Sequence, residues 1–195
     1  MMNNGKVGDL IYSLRKEKRL TQKQLADRMN ISDRTVSKWE RGYGCPDISL
    51  LPQLSELLGV NIESILDGDL ASNEFVGGNM KKSNYFVCDL CNNIALATGD
   101  ISISCCGRKL DRLEAKKATT ENNLTIMDID NEWYISSEHP MSKDHYISFI
   151  AFATGDQVRI MKQYPEWNLQ ARLPKSKHGK LLWYDTKFGL YYQLI

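Results

Sequence analysis

The spacing of apolar residues changes close to position 70, and the change predicts a helical domain followed by a β-rich region. Before that position, apolar side chains recur every three or four residues, as at Val7, Leu10, Ile11 and Leu14, which is the spacing of one helix face. Beyond it, short β-branched and aromatic runs alternate with turn residues, which is typical of strands. The polar stretch between the two patterns predicts a linker over residues 71–83.

Cap and turn residues predict where the helices of the first domain begin. Thr21 followed by Gln24 has the pattern of a capping box, and Ser32 is a second N-cap candidate. Asn30 tolerates the left-handed backbone that a sharp turn between two helices needs. We therefore expect five helices in residues 1–70: over 6–18, from 22, over 33–41, from 49, and over 62–66 with Asn61 as its cap.

Residues 20–42 carry a specific motif. Two short helices flank a turn, and the second helix holds polar and cationic side chains, which is the arrangement of a DNA-reading helix-turn-helix. The run formed by Thr21-Gln22, Ala26 and Trp39-Glu40-Arg41-Gly42 resembles the Cro/repressor or XRE-like family, over about residues 5–68. The resemblance implies a five-helix repressor-like domain, double-stranded DNA as a partner and a homodimer on paired half-sites.

The start of the second motif helix is the part that enters the major groove in this class of protein. Register with the family places Asp33, Arg34 and Lys38 at base edges, where a cation would donate to guanine and Asp33 would accept from cytosine. Asp33 serves equally well as a capping residue, and Glu40 is expected to pair with a nearby arginine. The full predicted DNA-binding set is Gln22, Ser32, Asp33, Arg34, Thr35, Ser37, Lys38 and Arg41, with Gln22, Ser32 and Arg41 on phosphates.

Charge is distributed unevenly in the first domain. Residues 6–41 hold ten Lys and Arg against five Asp and Glu, whereas residues 42–70 hold five acids and no Lys or Arg. One basic face suits docking on phosphates. The sequence shows neither an apolar run long enough to span a bilayer nor a signal-peptide pattern, so we expect a cytoplasmic protein.

Four of the five cysteines lie in two close pairs, Cys88-x-x-Cys91 and Cys105-Cys106. Four soft thiolates favour one tetrahedral zinc or iron ion, and a β module this small needs such a staple. Four reduced cysteines without a metal are the alternative. Cys45 is left over and is expected to be inert.

The residues around these cysteines carry a second resemblance. The pattern Y-x-x-C-x-x-C-x-N from Tyr85, followed by C-C-G from Cys105, is similar to the desulforedoxin module. The stretch from His139 to His145 resembles the superoxide reductase domain of desulfoferrodoxin. The resemblance implies a four-Cys metal-binding β module over residues 84–118 and an immunoglobulin-like antiparallel β-sandwich over residues 119–195.

The same resemblance implies a catalytic iron held by four histidines and one cysteine, and most of that set is missing. His139 and His145 keep the family's spacing, but no histidine precedes His139 and no cysteine follows Cys106. The family's C-terminal Cys-x-x-His-Gly falls on Asp185-Thr186-Lys187-Phe188-Gly189. We therefore expect no reductase activity and assign no catalytic residue.

Two readings of His139 and His145 stay open: they are remnants of the fold, or they are a residual metal or ligand site. Three functions stay open as well. The first is a DNA-binding transcriptional regulator, not an enzyme, whose metal-binding C-terminal region senses redox or metal status. The second makes that region a zinc-stapled dimerisation module without a sensing role. The third is a superoxide reductase-type oxidoreductase held at DNA.

Overall fold

The computed structural model describes residues 3–73, 77–176 and 178–195. The chain divides into two compact units, the first ending at Ser72 and the second beginning at Asn73. Part of the predicted linker, residues 74–76, lies outside the described residues. The boundaries at 84, 118 and 119 stay predictions.

The first unit is built from short α-helices, as the apolar spacing predicts. Thr21 and Gln24 form the reciprocal capping box, and the Ser32 hydroxyl accepts from the amide of Thr35. Between these caps, Asn30 has φ 54°, the left-handed turn conformation. The helices are α1 (Asn4–Glu17), α2 (Gln22–Arg28), α3 (Asp33–Glu40), α4 (Leu51–Leu58) and α5 (Ile62–Asp67).

Two helix starts and one cap differ from the prediction. The Asn3 side chain caps α1, which therefore begins earlier than expected. A turn of 3-10 helix precedes Leu51, and α4 opens there because Pro52 has no N–H and is tolerated only in the first turn. Asn61 occupies the N-cap position of α5, but its side chain makes no capping hydrogen bond, so that part of the prediction is wrong.

The helices pack around one apolar core. Val36 and Trp39 place the inner side of α3 in this core. Gly8 of α1 allows α3 to approach closely, because a Cβ there would stand 2.2 Å from the carbonyl oxygen of Trp39. The orientation of α3 is thereby fixed from its buried side. The core consists of Val7, Leu10, Ile11, Leu14, Leu25, Ala26, Met29, Val36, Trp39, Leu51, Leu54, Leu58 and Ile65.

The second unit is built from β-strands, as predicted for the region beyond residue 83. They are β1 (Asn84–Val87), β2 (Ile94–Ala97), β3 (Ile103–Cys105), β4 (Arg108–Leu110), β5 (Lys116–Lys117), β6 (Thr125–Ile129), β7 (Glu132–Ser136), β8 (Ile147–Ala153), β9 (Val158–Lys162), β10 (Gln170–Pro174), β11 (Lys180–Asp185) and β12 (Gly189–Leu194).

These strands form two larger sheets and two hairpins. One sheet has the order β10-β7-β6 and the other β5-β12-β11-β8-β9, while β1-β2 and β3-β4 are separate hairpins. The predicted antiparallel sandwich is confirmed, with one short exception, because β5 pairs with β12 in parallel. The four cysteines lie on the two hairpins and their turns.

β8 lies within the five-stranded sheet and is buried along its whole length. Its sequence, ISFIAFA, is apolar except for Ser148, and such a nearly continuous run is typical of a strand covered on both faces. Ile150 belongs to the core shared with Ile135 and Leu173 of the three-stranded sheet. On the opposite face, the ring of Phe149 stacks on Tyr85 of β1, with centroids 6.0 Å apart. The β1-β2 hairpin, whose turn carries the first cysteine pair, is therefore anchored to β8.

Candidate functional sites

The outward side of α3 carries the predicted base-reading residues. Asp33, Arg34 and Lys38 are exposed, and Thr35 and Ser37 are half-buried beside them. Asp33 Oδ1 accepts from the amide of Arg34 at 2.8 Å, so this carboxylate satisfies a backbone N–H at the start of α3. Arg34 and Lys38 are four residues apart, which places their cationic side chains on one helix face.

The three predicted phosphate contacts all take part in hydrogen bonds within the first unit. Ser32 caps α3, and Gln22 Nε2 donates to Glu40 Oε2 at 2.8 Å. Arg41 Nε donates to the carbonyl oxygen of Ser37 at 3.1 Å. All eight residues of the predicted DNA-binding set lie on or beside α2 and α3. Their contact with DNA stays a prediction.

A buried ion pair joins α1 to α3. Arg15 Nε and Nη2 donate to the two carboxylate oxygens of Glu40 at 2.5 and 2.8 Å, and both side chains are less than 5% exposed. Arg15 Nη1 also donates to the carbonyl oxygen of Leu20 at 2.7 Å. The hydrogen bond to Glu40 raises the pKa of Arg15, although burial opposes this. The expected pairing of Glu40 with an arginine is confirmed.

The four clustered cysteines converge on one point. Their sulfur atoms all lie within 4.8 Å of one another, with 3.5 Å between Cys91 and Cys105 and 4.0 Å between Cys105 and Cys106. Bonds of about 2.3 Å to one tetrahedral ion would place neighbouring sulfurs about 3.8 Å apart. The four thiols therefore fit a single zinc or iron ion. Cys45 lies in the first unit, where its thiol donates to Asn4 Oδ1 at 2.7 Å.

The turn residues and charges of this cluster also suit a cation. Cys106 and Gly107 both have positive φ, as does Asn92 after the first pair, so tight turns present each pair. The amides of Leu90 and Cys91 lower the pKa of the Cys88 thiol to about 7, whereas the neighbouring thiols raise the pKa of Cys106 to about 12. Four thiolates at this spacing repel one another, and a divalent cation removes that penalty.

A second cluster lies in the sandwich and contains His139, His145 and Asp185. The two Nε2 atoms are 3.2 Å apart, His145 Nε2 is 3.0 Å from both carboxylate oxygens of Asp185, and His139 Nε2 is 3.3 Å from Asp185 Oδ2. The histidines belong to the β7–β8 loop, and Asp185 ends β11 at an irregularity in its pairing with β8. The chain thus brings together residues separated by forty positions.

Electrostatics keep the carboxylate of this second cluster charged and at least one imidazole neutral. Burial works to raise the pKa of Asp185, but the amides of Lys187 and Phe188, together with His145, lower it overall. Those amides donate to Asp185 Oδ1 at 2.8 and 3.0 Å. Burial lowers the pKa of His139 despite the attraction of Asp185. Near neutral pH the cluster therefore offers an ionised carboxylate beside a neutral imidazole.

Sequence reasoning identified Asp185 only as the residue standing where the related family has its cysteine. It did not identify Asp185 as a partner of His139 and His145. The sequence did contain a signal for this pairing, because the carboxylate at position 185 is itself a possible metal ligand and a hydrogen-bond acceptor for imidazole. The ring nitrogens of both histidines have neighbours, Asp185 and each other, as expected if they are remnants of the fold. The same contacts suit a ligand site, so both alternatives stay open.

A hydrogen-bond path runs between the two clusters. Asn92, which follows Cys91, donates through Nδ2 to the Tyr146 hydroxyl at 2.7 Å. The backbone of Tyr146 in turn exchanges hydrogen bonds with Thr186, since its amide meets Thr186 Oγ1 and its carbonyl oxygen accepts from the Thr186 amide. Tyr146 follows His145 and Thr186 follows Asp185, so the path ends next to His145 and Asp185 of the second cluster.

Comparisons with known proteins define the class of the first unit. Residues 11–65 match the family model described as helix-turn-helix. The transcriptional activator BcrR of Enterococcus faecalis is 34% identical over 91 residues, covering 45% of this chain and 44% of BcrR. The transcriptional repressor RghR of Bacillus subtilis is 28% identical over 145 residues, covering 74% of this chain and 90% of RghR. The chain spans less than half the length of BcrR. The first unit is a helix-turn-helix domain of the XRE-like kind.

Among solved structures, the superoxide reductase of Treponema pallidum has a TM-score of 0.49 and 12% identity, covering 58% of this chain and 98% of that one. The two-layer fold of the second unit rests on its own strand pairing. Across residues 3–73, 77–176 and 178–195, none of the helices combines the length and apolarity that crossing a membrane requires.

Proposed function

We propose that this chain is a sequence-specific DNA-binding transcriptional regulator whose second unit binds iron or zinc and adjusts DNA binding to redox or metal status. The observation that carries the proposal is the presence, in one chain, of an XRE-like recognition helix and four converging thiols. The ligands of the metal would be Cys88, Cys91, Cys105 and Cys106.

The DNA-binding part of the proposal is supported by the outward side of α3. Arg34 and Lys38 are exposed on it, while Trp39 and the Arg15–Glu40 pair fix its buried side, so two cations are presented by a rigidly held helix. Relatives of the helix-turn-helix unit are named as a transcriptional activator and a transcriptional repressor. One chain offers one such helix, so we propose a homodimer on half-sites about 34 Å apart.

Replacing Lys38 with alanine should weaken binding to the selected operator more than binding to random DNA. A base contact contributes about 1–3 kcal/mol of discrimination, whereas a phosphate contact weakens all sequences alike. The measurement is a pair of titrations, one with DNA selected by the protein from a random pool and one with a scrambled duplex. Lys6→Ala is the matched control, because Lys6 lies beside Gly68 rather than on α3. Equal losses on both duplexes would remove Lys38 from base readout.

The regulatory part of the proposal follows from the position of the thiols. The β1-β2 hairpin that carries the first pair is packed on β8 through Tyr85 and Phe149, and this contact would pass a change at the metal to the body of the second unit. A zinc ion would make this site a structural staple. An iron ion would add a change of charge on oxidation, which is the means by which we propose that redox status is sensed.

A zinc-stapled dimerisation module without a sensing role is the second candidate. The observation that favours it is the same anchoring of the β1-β2 hairpin to the sandwich. A metal that only joined the two cysteine pairs would stabilise this arrangement without sensing anything. We do not propose superoxide reductase chemistry. The second cluster presents two imidazoles and a carboxylate, where the resembled family has four histidines and a cysteine.

A further inference from the structure

The second cluster has the geometry of a metal-binding site as well as that of a hydrogen-bonded group. Its ligand atoms are 3.0 to 3.3 Å apart around the triangle formed by His139 Nε2, His145 Nε2 and Asp185. Metal bonds of about 2.1 Å would place neighbouring ligand atoms about 3.0 Å apart at an octahedral ion and about 3.4 Å apart at a tetrahedral one. The observed distances fall within that interval.

The surroundings leave room for ligands other than protein. His139, His145 and Asp185 lie in the wall of a pocket of about 600 Å³, which also contains Trp183 and Phe188. Their side chains are 13%, 19% and 8% exposed, so the cluster is sheltered but open to this pocket. A metal with three protein ligands would therefore have its remaining positions directed toward solvent or a small bound molecule.

We propose that His139, His145 and Asp185 bind a divalent first-row transition metal ion, separate from the ion at the four cysteines, with an open coordination position facing the pocket. Two imidazole nitrogens and one carboxylate are the donor set of non-haem iron and open zinc sites, whereas calcium and magnesium prefer oxygen ligands. The amides of Lys187 and Phe188 hold the carboxylate of Asp185 in place, which is the support that metal-binding carboxylates commonly have.

Binding would exchange one hydrogen bond for a metal bond. His139 Nδ1 now accepts from the amide of Met141 at 3.1 Å, which places the ring proton on Nε2. Coordination through Nε2 requires the proton on Nδ1, so the contact with Met141 must open when the ion binds. This change gives the proposal a spectroscopic signature at a residue that is not itself a ligand.

The test uses the full chain, stripped of metal without oxygen and titrated with Co²⁺. The unaltered chain should bind about two Co²⁺ per chain, one with the sulfur-to-metal charge transfer of the thiolate site and one without it. His145→Gln should bind about one ion and keep the charge-transfer band. His178→Gln is the matched control, because His178 is the remaining histidine of the sequence and lies outside the cluster. It should bind as the unaltered chain does.

A second, more conservative variant tests the site if His145→Gln fails to fold. Its readout is cobalt binding, which does not depend on the proposed regulatory function. Asp185→Asn keeps a side-chain oxygen that can accept from the amides of Lys187 and Phe188. It should weaken the affinity for Co²⁺ at the site without sulfur by more than about 100-fold, which exceeds the loss expected when a residue that only supports a metal ligand is changed. On titration with diamagnetic Zn²⁺, the amide resonance of Met141 should shift in the unaltered chain and in His178→Gln and stay in place in His145→Gln. If the unaltered chain and His145→Gln bind the same number of cobalt ions, the proposal is wrong. Cys105→Ser should lose the ion that gives the charge-transfer band and keep the ion without it, which tests the thiolate site separately.

Discussion

Replacing Glu40 with alanine should destabilise the first unit by about 3–5 kcal/mol, which is the cost of leaving one partner of a buried ion pair uncompensated. Arg15 would keep its charge in the core, with a hydrogen bond to the carbonyl oxygen of Leu20 and the ring of Tyr12 as its remaining contacts. Gln22 would also lose the carboxylate that positions it. Since a small domain has about 5–15 kcal/mol in total, this variant should be largely unfolded at modest denaturant. Urea unfolding followed by helix signal measures the effect.

Two further variants separate the buried charge from the loss of a side chain. Glu56→Ala removes an exposed acid from α4 and should change stability by less than about 0.5 kcal/mol. The double change Arg15→Met with Glu40→Leu should recover most of the loss, because an apolar pair of similar volume often replaces a buried ion pair without penalty. If Glu40→Ala unfolds at the same denaturant concentration as Glu56→Ala, the ion pair contributes nothing and the account of how α3 is held is wrong.

Replacing Cys105 with serine should remove the metal from the four-cysteine site and lower the Tm of the second unit by more than about 10 °C. Serine is a poor ligand for a thiolate-binding ion, and the remaining three sulfurs leave the tetrahedron incomplete. Without the ion, the two short hairpins lose the bond that joins them, since Cys91 and Cys105 come from different hairpins. Metal content by elemental analysis and thermal unfolding are the two measurements.

Cys45→Ser is the matched control for this prediction. Cys45 has the same chemistry but lies in the first unit, beside Asn4, so it should keep full metal content and an unchanged Tm for the second unit. Unchanged metal content in Cys105→Ser would show that the four-thiolate assignment is incorrect.

Local patterns predicted most of the fold. The 3.6-residue spacing identified the helices, and the capping residues Thr21 and Ser32 gave the start of both motif helices correctly. The nearly continuous apolar run of β8, interrupted by Ser148, matches its burial on both faces. These features are predictable because each is decided by residues only a few positions away in the sequence.

Pairings between distant residues were not predictable in the same way. Glu40 was expected to meet an arginine, but the choice of Arg15 depends on how α1 packs on α3, through the close approach at Gly8. Asp185 meets His139 and His145 because β11 lies beside β8 and the loop before β8 folds over that end of the sheet. Side-chain spacing along the chain carries no information about such contacts, so the carboxylate was interpreted as a lost ligand rather than a present one.

The two clusters of the second unit are suited to act together. The path through Asn92, Tyr146 and Thr186 joins the turn after Cys91 to the residues next to His145 and Asp185. Asn92 lies in the turn that carries Cys88 and Cys91, where its amide donates to the carbonyl oxygen of Cys88, so a change of charge at the thiolate ion would be felt at the start of this path. Coupling between sites of this kind typically amounts to about 1–3 kcal/mol.

The measurement that tests the central claim most directly is the affinity of the chain for its selected operator in defined metal states. Titrations at one salt concentration would compare metal-free protein with protein loaded with Zn²⁺, with Fe²⁺, and with iron after oxidation. We expect at least one pair of states to differ by about 5–150-fold, the range of ordinary allosteric coupling, with scrambled DNA binding weakly throughout. Tight operator binding of the same strength in every state would contradict the sensing role and leave the second unit as a metal-stapled structural module.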